Sequence, residues 1–111
     1  MNLTEQAIYA AAERAATAAS GPVRILLFGS HARGQADTHS DIDLAVIEPA
    51  FADLHAKGDE YLRIRMAIGS VGTGIDLLLY DEEEFAWRSQ VPGTLPYRIR
   101  REGKLLHERR T

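Results

Sequence analysis

The chain has 111 residues, 45% of them hydrophobic, no cysteine and a net charge of −3. That length suits one domain, residues 1–111, with apolar residues enough for a core. The absence of cysteine excludes disulfides and thiolate metal sites, the acidic balance argues against general nucleic-acid binding, and no apolar run reaches the 18 or so residues of a membrane span. The start, MNLTEQAIYA, lacks the basic residues and leucine-rich core of a signal peptide, so the expected compartment is the cytoplasm.

In chain order, LTEQAIYAAAERAATAA (3–19) is alanine-rich and free of breakers, which predicts a helix. Asn2 or Thr4 can cap its start and Gly21-Pro22 ends it. VRILLF (23–28), bounded by Pro22 and Gly29, reads as a buried strand. One or two helical turns follow from Ser30 to about Gln35, then a polar loop, ADTHS. DIDLAVI (41–47) alternates with period two and reads as a second strand, closed by Pro49.

From Phe51 to about Ile68, the spacing of Leu54, Tyr61, Leu62, Arg65 and Met66 is compatible with a helix, weakened at Gly58. GSVGTG (69–74) is a turn and IDLLLY (75–80) a third strand. In DEEEFAWRSQ (81–90), Asp81 and the three glutamates suit the N-terminus of a helix. LPYRIRREG (95–103) predicts another turn or two of helix, and KLLHE (104–108) a short edge strand. The expected fold is therefore α/β or α+β, a small central sheet of three or four strands flanked by helices. Charge is unevenly spread: residues 88–111 carry 7 basic and 2 acidic side chains against a strongly acidic remainder. Such a segment is either a binding edge or a solvated face.

Candidate chemistry lies in LLFGSHARGQADTHSDIDLAV (26–46). Side chains two apart on a strand share a face, so Asp41 and Asp43 lie together, opposite Ile42, Leu44 and Val46. Two carboxylates ~4 Å apart repel by roughly 4 kcal/mol at an effective dielectric of about 20. That favours a shared proton or a bound cation. A hard cation such as Mg²⁺ takes one or two carboxylates plus phosphate oxygens, so the pair implies a metal and the metal a phosphate. Gly29 directly after a strand allows a tight turn and close approach to a ligand, and Ser30 adds a donor. Arg33 either contacts a phosphate or faces solvent. Asp76, a polar residue among apolar ones on the third strand, is the best candidate for a third carboxylate. Asp81 to Glu84 already have a local explanation as a helix start.

Gly29-Ser30, ten residues, then Asp41-Ile42-Asp43 resembles the GS-x10-D-x-D signature of the nucleotidyltransferase superfamily that includes DNA polymerase β and the aminoglycoside nucleotidyltransferases. The run FGSHARGQADTHSDIDLAV, with GIDLLLY and REGKLLHE, is similar to the minimal nucleotidyltransferases, or MNT proteins. The resemblance implies a polymerase β-like core with a mixed sheet. It also implies that Asp41, Asp43 and Asp76 hold two Mg²⁺ ions, with Asp76 activating the attacking hydroxyl. Gly29 and Ser30 would hold the β- and γ-phosphates of ATP or another nucleoside triphosphate.

A chain of this length is expected to lack the extra acceptor-binding domain of larger relatives, so another molecule is expected to complete the site, as a homodimer or hetero-oligomer. In the MNT group the partner is commonly a HEPN-domain toxin, and the resemblance implies AMP transfer to one of its tyrosines by an antitoxin. Two alternatives stay open: transfer to a small molecule such as an aminoglycoside, and a partner-binding module without catalysis. His31, His39, His55 and His107 read as polar surface, Trp87 as core or a partner anchor, and Tyr80 as packing. Arg63 and Arg65 read as a solvated helix face, with reach toward a triphosphate as the alternative.

Overall fold

The apolar run at 23–28 becomes the inner strand of a four-stranded sheet in a computed structural model that describes all 111 residues. The strands are β1 (Val23–Phe28), β2 (Ile42–Glu48), β3 (Ile75–Asp81) and β4 (Lys104–Arg109), in the spatial order β3-β2-β1-β4. β1 runs antiparallel to both β2 and β4, whereas β2 and β3 are parallel. The sheet is mixed, as expected. Parallel neighbours need a crossover, and α3 (Leu54–Ile68) supplies it.

Alternation along the strands builds two cores. Val23, Ile25 and Leu27 of β1 join Ile42, Leu44 and Val46 of β2 and Ile75, Leu77 and Leu79 of β3 under α1 (Leu3–Ala18) and α3. The buried side of α1 is Ile8 with Ala11, Ala12, Ala15 and Ala16, and such small side chains let a helix axis lie near the sheet. The opposite face of the sheet carries Phe28, Ala45, Ile47 and Tyr80, covered by Phe85 and Ile99. Those two residues come from α4 (Glu82–Arg88) and α5 (Leu95–Glu102). The acidic face of β2 is thus acidic only at its start: beyond Asp43 it turns into a second core through Ala45 and Ile47.

Local caps set most of the boundaries. Asn2 and Glu5 form a capping box at α1. Asp53 accepts the Ala56 N–H at 2.8 Å, so α3 begins at Leu54 rather than Phe51. Asp81 does the same for α4 through Glu84 N–H at 2.7 Å, as its position before three glutamates implies. α2 (Gly29–Arg33) is a single short helix stopped by Gly34 in the left-handed region at φ +72°.

One helix turns a different face inward from the one its leucines suggest. The buried stripe of α3 is Glu60, Ile64 and Ile68. Leu54 (85% exposed), Leu62 and Met66 (79%) point to solvent. Ile64 and Ile68, four apart, are the pair that reaches the sheet, and the spacing of the three outward residues is equally helical. No helix is long and apolar enough to cross a membrane.

Candidate active site

Three carboxylates converge where β1 ends and β2 and β3 begin. Asp43 and Asp76 are register partners in the parallel pair, so both side chains leave the same face of the sheet. Asp41 precedes β2 by one residue, and the Ile42 N–H donates to the Gly74 carbonyl at 2.9 Å, tying the two strand starts together. Phe28 pairs with Asp43 across the antiparallel ladder, which brings the Gly29 turn directly beside that carboxylate.

Two glycines make the crowding possible. Gly29 has φ +74°, and a Cβ there would lie 2.0 Å from Asp43 Oδ2. A Cβ on Gly74 would lie 2.2 Å from Asp41 Oδ1. The second contact is with the free end of a side chain, which can swing away at little cost. Gly74→Ala is therefore expected to change the unfolding midpoint by under about 2 °C while displacing Asp41. A thermal melt and a divalent-cation titration on the same variant test this, and a large fall in stability would contradict it.

The electrostatics follow from the packing. Asp43 is half-buried between more exposed Asp41 and Asp76. Burial first, then its hydrogen bond to Asp76 and the charges of Asp76 and Asp41, push its carboxyl up to about 6, against a small opposing pull from His31. Carboxylates this close favour either a shared proton or a cation between them. The donor set is carboxylate oxygen throughout, the chemistry that suits a hard divalent ion. The carboxylates meet pairwise, and no group of three or more side chains forms a ready ligand cage.

Other candidates are sorted by place. Ser30 lies half-buried in α2 next to Gly29. Arg33 is on the same helix, but its Nη1 pairs with Glu102 Oε1 at 3.2 Å and its Nε–H donates to Gln35. Neither solvent nor phosphate but a carboxylate of α5 is the partner of Arg33 in this structure. His31, read as polar surface, lies close enough to act on Asp43, with its Nε2 3.3 Å from the Ser40 carbonyl. His39 is exposed in the polar loop.

Arg63 is engaged elsewhere, with Glu60, Ser20 and the Ala18 carbonyl, so the alternative of reach to a triphosphate falls away. Tyr80 packs on Phe85 with ring centroids 5.7 Å apart, as expected of a packing residue. Trp87 is 60% exposed and lines a groove of about 460 Å³ with Phe51 and Leu54, at the far end of β3 from Asp76. It is not core. Glu102 was missed because nothing local in REGKLLHE marks it; its partners are 69 and 73 residues away.

A family model described as Polymerase beta, Nucleotidyltransferase matches residues 13–111. The chain belongs to this family. No curated protein matches it. Among solved structures, a chain of a toxin–antitoxin complex with AMP-PNP is 20% identical, with TM-score 0.58 over 90% of this chain and 72% of that one. A Sulfolobus solfataricus protein described as a candidate nucleotidyltransferase is 20% identical, with TM-score 0.64 over 94% and 79%. A mutant of the MntA–HpeT toxin–antitoxin is 18% identical, with TM-score 0.55 over 96% and 73%. At such identities these likenesses show the shared fold. In this nucleotidyltransferase the GS and D-x-D residues stand at the junction of β1, α2 and β2, with Asp76 across from Asp43.

Proposed function

We propose that this nucleotidyltransferase is of the minimal, MNT type and moves AMP from ATP to a hydroxyl acceptor, a tyrosine of a HEPN-type toxin partner, as an antitoxin. The observation that carries the reading is the junction of Asp41, Asp43 and Asp76 beside the Gly29-Ser30 turn. Toxin–antitoxin chains among the similar folds favour a protein acceptor over a small molecule.

Asp41, Asp43 and Asp76 would hold two Mg²⁺ ions, which when bound neutralise phosphate charge and favour ionisation of the acceptor hydroxyl. Asp76, more exposed than Asp43, would take the proton of the acceptor hydroxyl. The Gly29-Ser30 turn would hold the β- and γ-phosphates, with Arg33 as a further phosphate contact. The acceptor oxygen bonds to the α-phosphorus, the bond to the bridging oxygen breaks, and pyrophosphate leaves. Positioning and charge neutralisation suffice for such a transfer, without a covalent enzyme intermediate.

The test uses purified protein, Mg²⁺, ATP labelled at the α-phosphate and a lysate of the source organism. Label is expected on one protein band, and is expected to be absent with Asp41→Ala/Asp43→Ala. Label confined to small molecules moves the reading to metabolite or drug modification. No label with any of the four nucleotides overturns catalysis and leaves a binding module.

A further inference from the structure

We propose that Glu102 is a positioning residue for nucleotide binding, holding the Gly29 turn and the Arg33 guanidinium in the arrangement that receives a triphosphate. The inference rests on the nucleotidyltransferase reading above. It begins with the sheet. Leu27 pairs with Lys104 at the end of the antiparallel β1–β4 ladder, and Gly29 and Glu102 each stand two residues beyond that pair. At Gly29, with φ +74°, β1 has ended and α2 starts, and the first amides of a helix have no intrahelical acceptor. The Glu102 carboxylate takes that place: its Oε1 accepts the Gly29 N–H at 3.1 Å.

The same carboxylate accepts from Arg33 Nη1 at 3.2 and 3.4 Å through its two oxygens, and Arg98 Nη2 lies 3.9 Å away. Its placement is set by backbone. The Gly103 N–H closes α5 on the Ile99 carbonyl at 2.8 Å. A Cβ at Gly103 would come within 2.3 Å of that oxygen and 3.5 Å of the Leu27 carbonyl. The end of α5 is therefore pressed against the end of β1, and Glu102 has little freedom to be elsewhere.

Two consequences follow for binding. The Gly29 amide is committed to Glu102, so Gly29 contributes the shape of the turn, and phosphate donors come from Ser30 and Arg33. Arg33 gives its Nε–H to Gln35 and Nη1 to Glu102, which leaves Nη2 for the ligand. A guanidinium held at both Nε and Nη1 keeps its plane, and with it Nη2, in a fixed direction, at a smaller entropy loss on binding.

The experiment measures ATP affinity and steady-state transfer for wild type, Glu102→Ala, Glu102→Gln, Arg33→Ala and the Glu102→Ala/Arg33→Ala pair. Glu102→Ala is expected to raise Kd and KM for ATP by about 10- to 100-fold, the size of a lost charge-assisted hydrogen bond. The kcat should stay within about threefold, because the groups at the α-phosphate are untouched. Glu102→Gln, which keeps acceptors but not charge, should recover part of the affinity. On the Arg33→Ala background, Glu102→Ala should cost clearly less than it does alone, because the part of its effect that runs through Arg33 is already gone and only its hold on the Gly29 turn remains.

An unchanged KM in both Glu102 variants overturns the proposal, as do fully additive losses, which indicate general loosening of the fold. Tighter ATP binding by Glu102→Ala overturns it as well, by making Glu102 a competitor of phosphate. If Glu102→Ala fails to fold, Glu102→Gln against wild type decides the point. A wild-type protein that binds no nucleotide removes the functional reading and this inference together, whereas wild-type binding with indifferent variants removes only the inference.

Discussion

Replacing Asp43 with asparagine is expected to lower nucleotidyl transfer by at least about 10²- to 10³-fold and, in chelator, to raise the unfolding midpoint at pH 8. The two effects have one cause. Asp43 is half-buried against Asp76 and Asp41, and its carboxyl is pushed up from 3.8 to about 6. A carboxyl with a raised folded-state pKa adds nothing unfavourable below about pH 4, where folded and unfolded chains are both protonated. As pH rises through 6 the unfolded chain gains from ionising earlier, and folding loses stability. Without a cation, the protein at pH 8 therefore carries the full repulsion of the cluster. Solvent screening of this half-exposed group leaves about 1 kcal/mol, or roughly 4 °C for a chain of this size.

Asparagine keeps the shape, removes the charge and can donate to Asp76. At pH 4 the variant and wild type should melt together. Thermal melts at the two pH values, paired with the transfer assay, check this. Loss of activity accompanied by loss of stability would mean that Asp43 holds the fold together rather than serving a site. The expected opposite signs are those of a functional group kept at the expense of stability.

The sheet and the acidic pair were legible because both are local patterns. VRILLF is bounded by proline and glycine, DIDLAVI alternates, and the D-x-D spacing decides a shared face without reference to the rest of the chain. Asp76 needed one more fact, the parallel register of β2 and β3, and that register does bring it across from Asp43. Other features depend on distance in sequence. The inward face of α3 could not be chosen from spacing, because Leu54, Leu62 and Met66 are as helical a set as Ile64 and Ile68. Gly74 looks like an ordinary turn glycine until Asp41 is seen against it. Glu102 reads as one more charge in a basic segment, and its meaning appears only when β4 pairs with β1. Part of that segment is structural too. Arg109 gives Nη1 to the Ala16 carbonyl at 2.8 Å and Nη2 to Ala19 at 2.9 Å. The last turn of α1 contains no basic residue of its own, so Arg109 and Arg63 supply from elsewhere the positive charge that suits a helix C-terminus.

That same region holds a second carboxyl pair, five residues along β2 from the first, and its expected behaviour is a stability maximum near pH 5. Glu48 and Glu60 are both buried. Glu60 accepts from the Ser20 N–H at 3.1 Å, the Ser20 hydroxyl at 3.0 Å and Arg63. Glu48 Oε1 has no hydrogen-bond partner. Burial and the neighbouring Glu60 push the Glu48 carboxyl up to about 8. Although burial opposes it, Glu60 is drawn down to about 2 by hydrogen bonds from Glu48, Arg63 and Ser20. At neutral pH the pair therefore shares one proton, with Glu48 the donor.

The signs differ for the two groups. Stability linked to Glu48 is complete below about pH 4.5 and falls as pH rises through 8. Stability linked to Glu60 is complete above about 4.5 and falls as pH drops toward 2. Glu48→Gln keeps the donor and removes the titration, so it should match wild type at pH 5 and exceed it by about 2 kcal/mol at pH 8 to 9. Glu60→Gln takes the carboxylate from Arg63 and should lose about 2 kcal/mol across that whole range. Urea unfolding at pH 5, 7 and 9 separates the cases, and a Glu48→Gln curve parallel to wild type would show that the two carboxyls do not share a proton. Asp43 and Glu48 thus stand five residues apart on one strand with opposite fates: Asp76 and solvent leave the first open to a cation, while the second is closed over by α3 and already holds its proton.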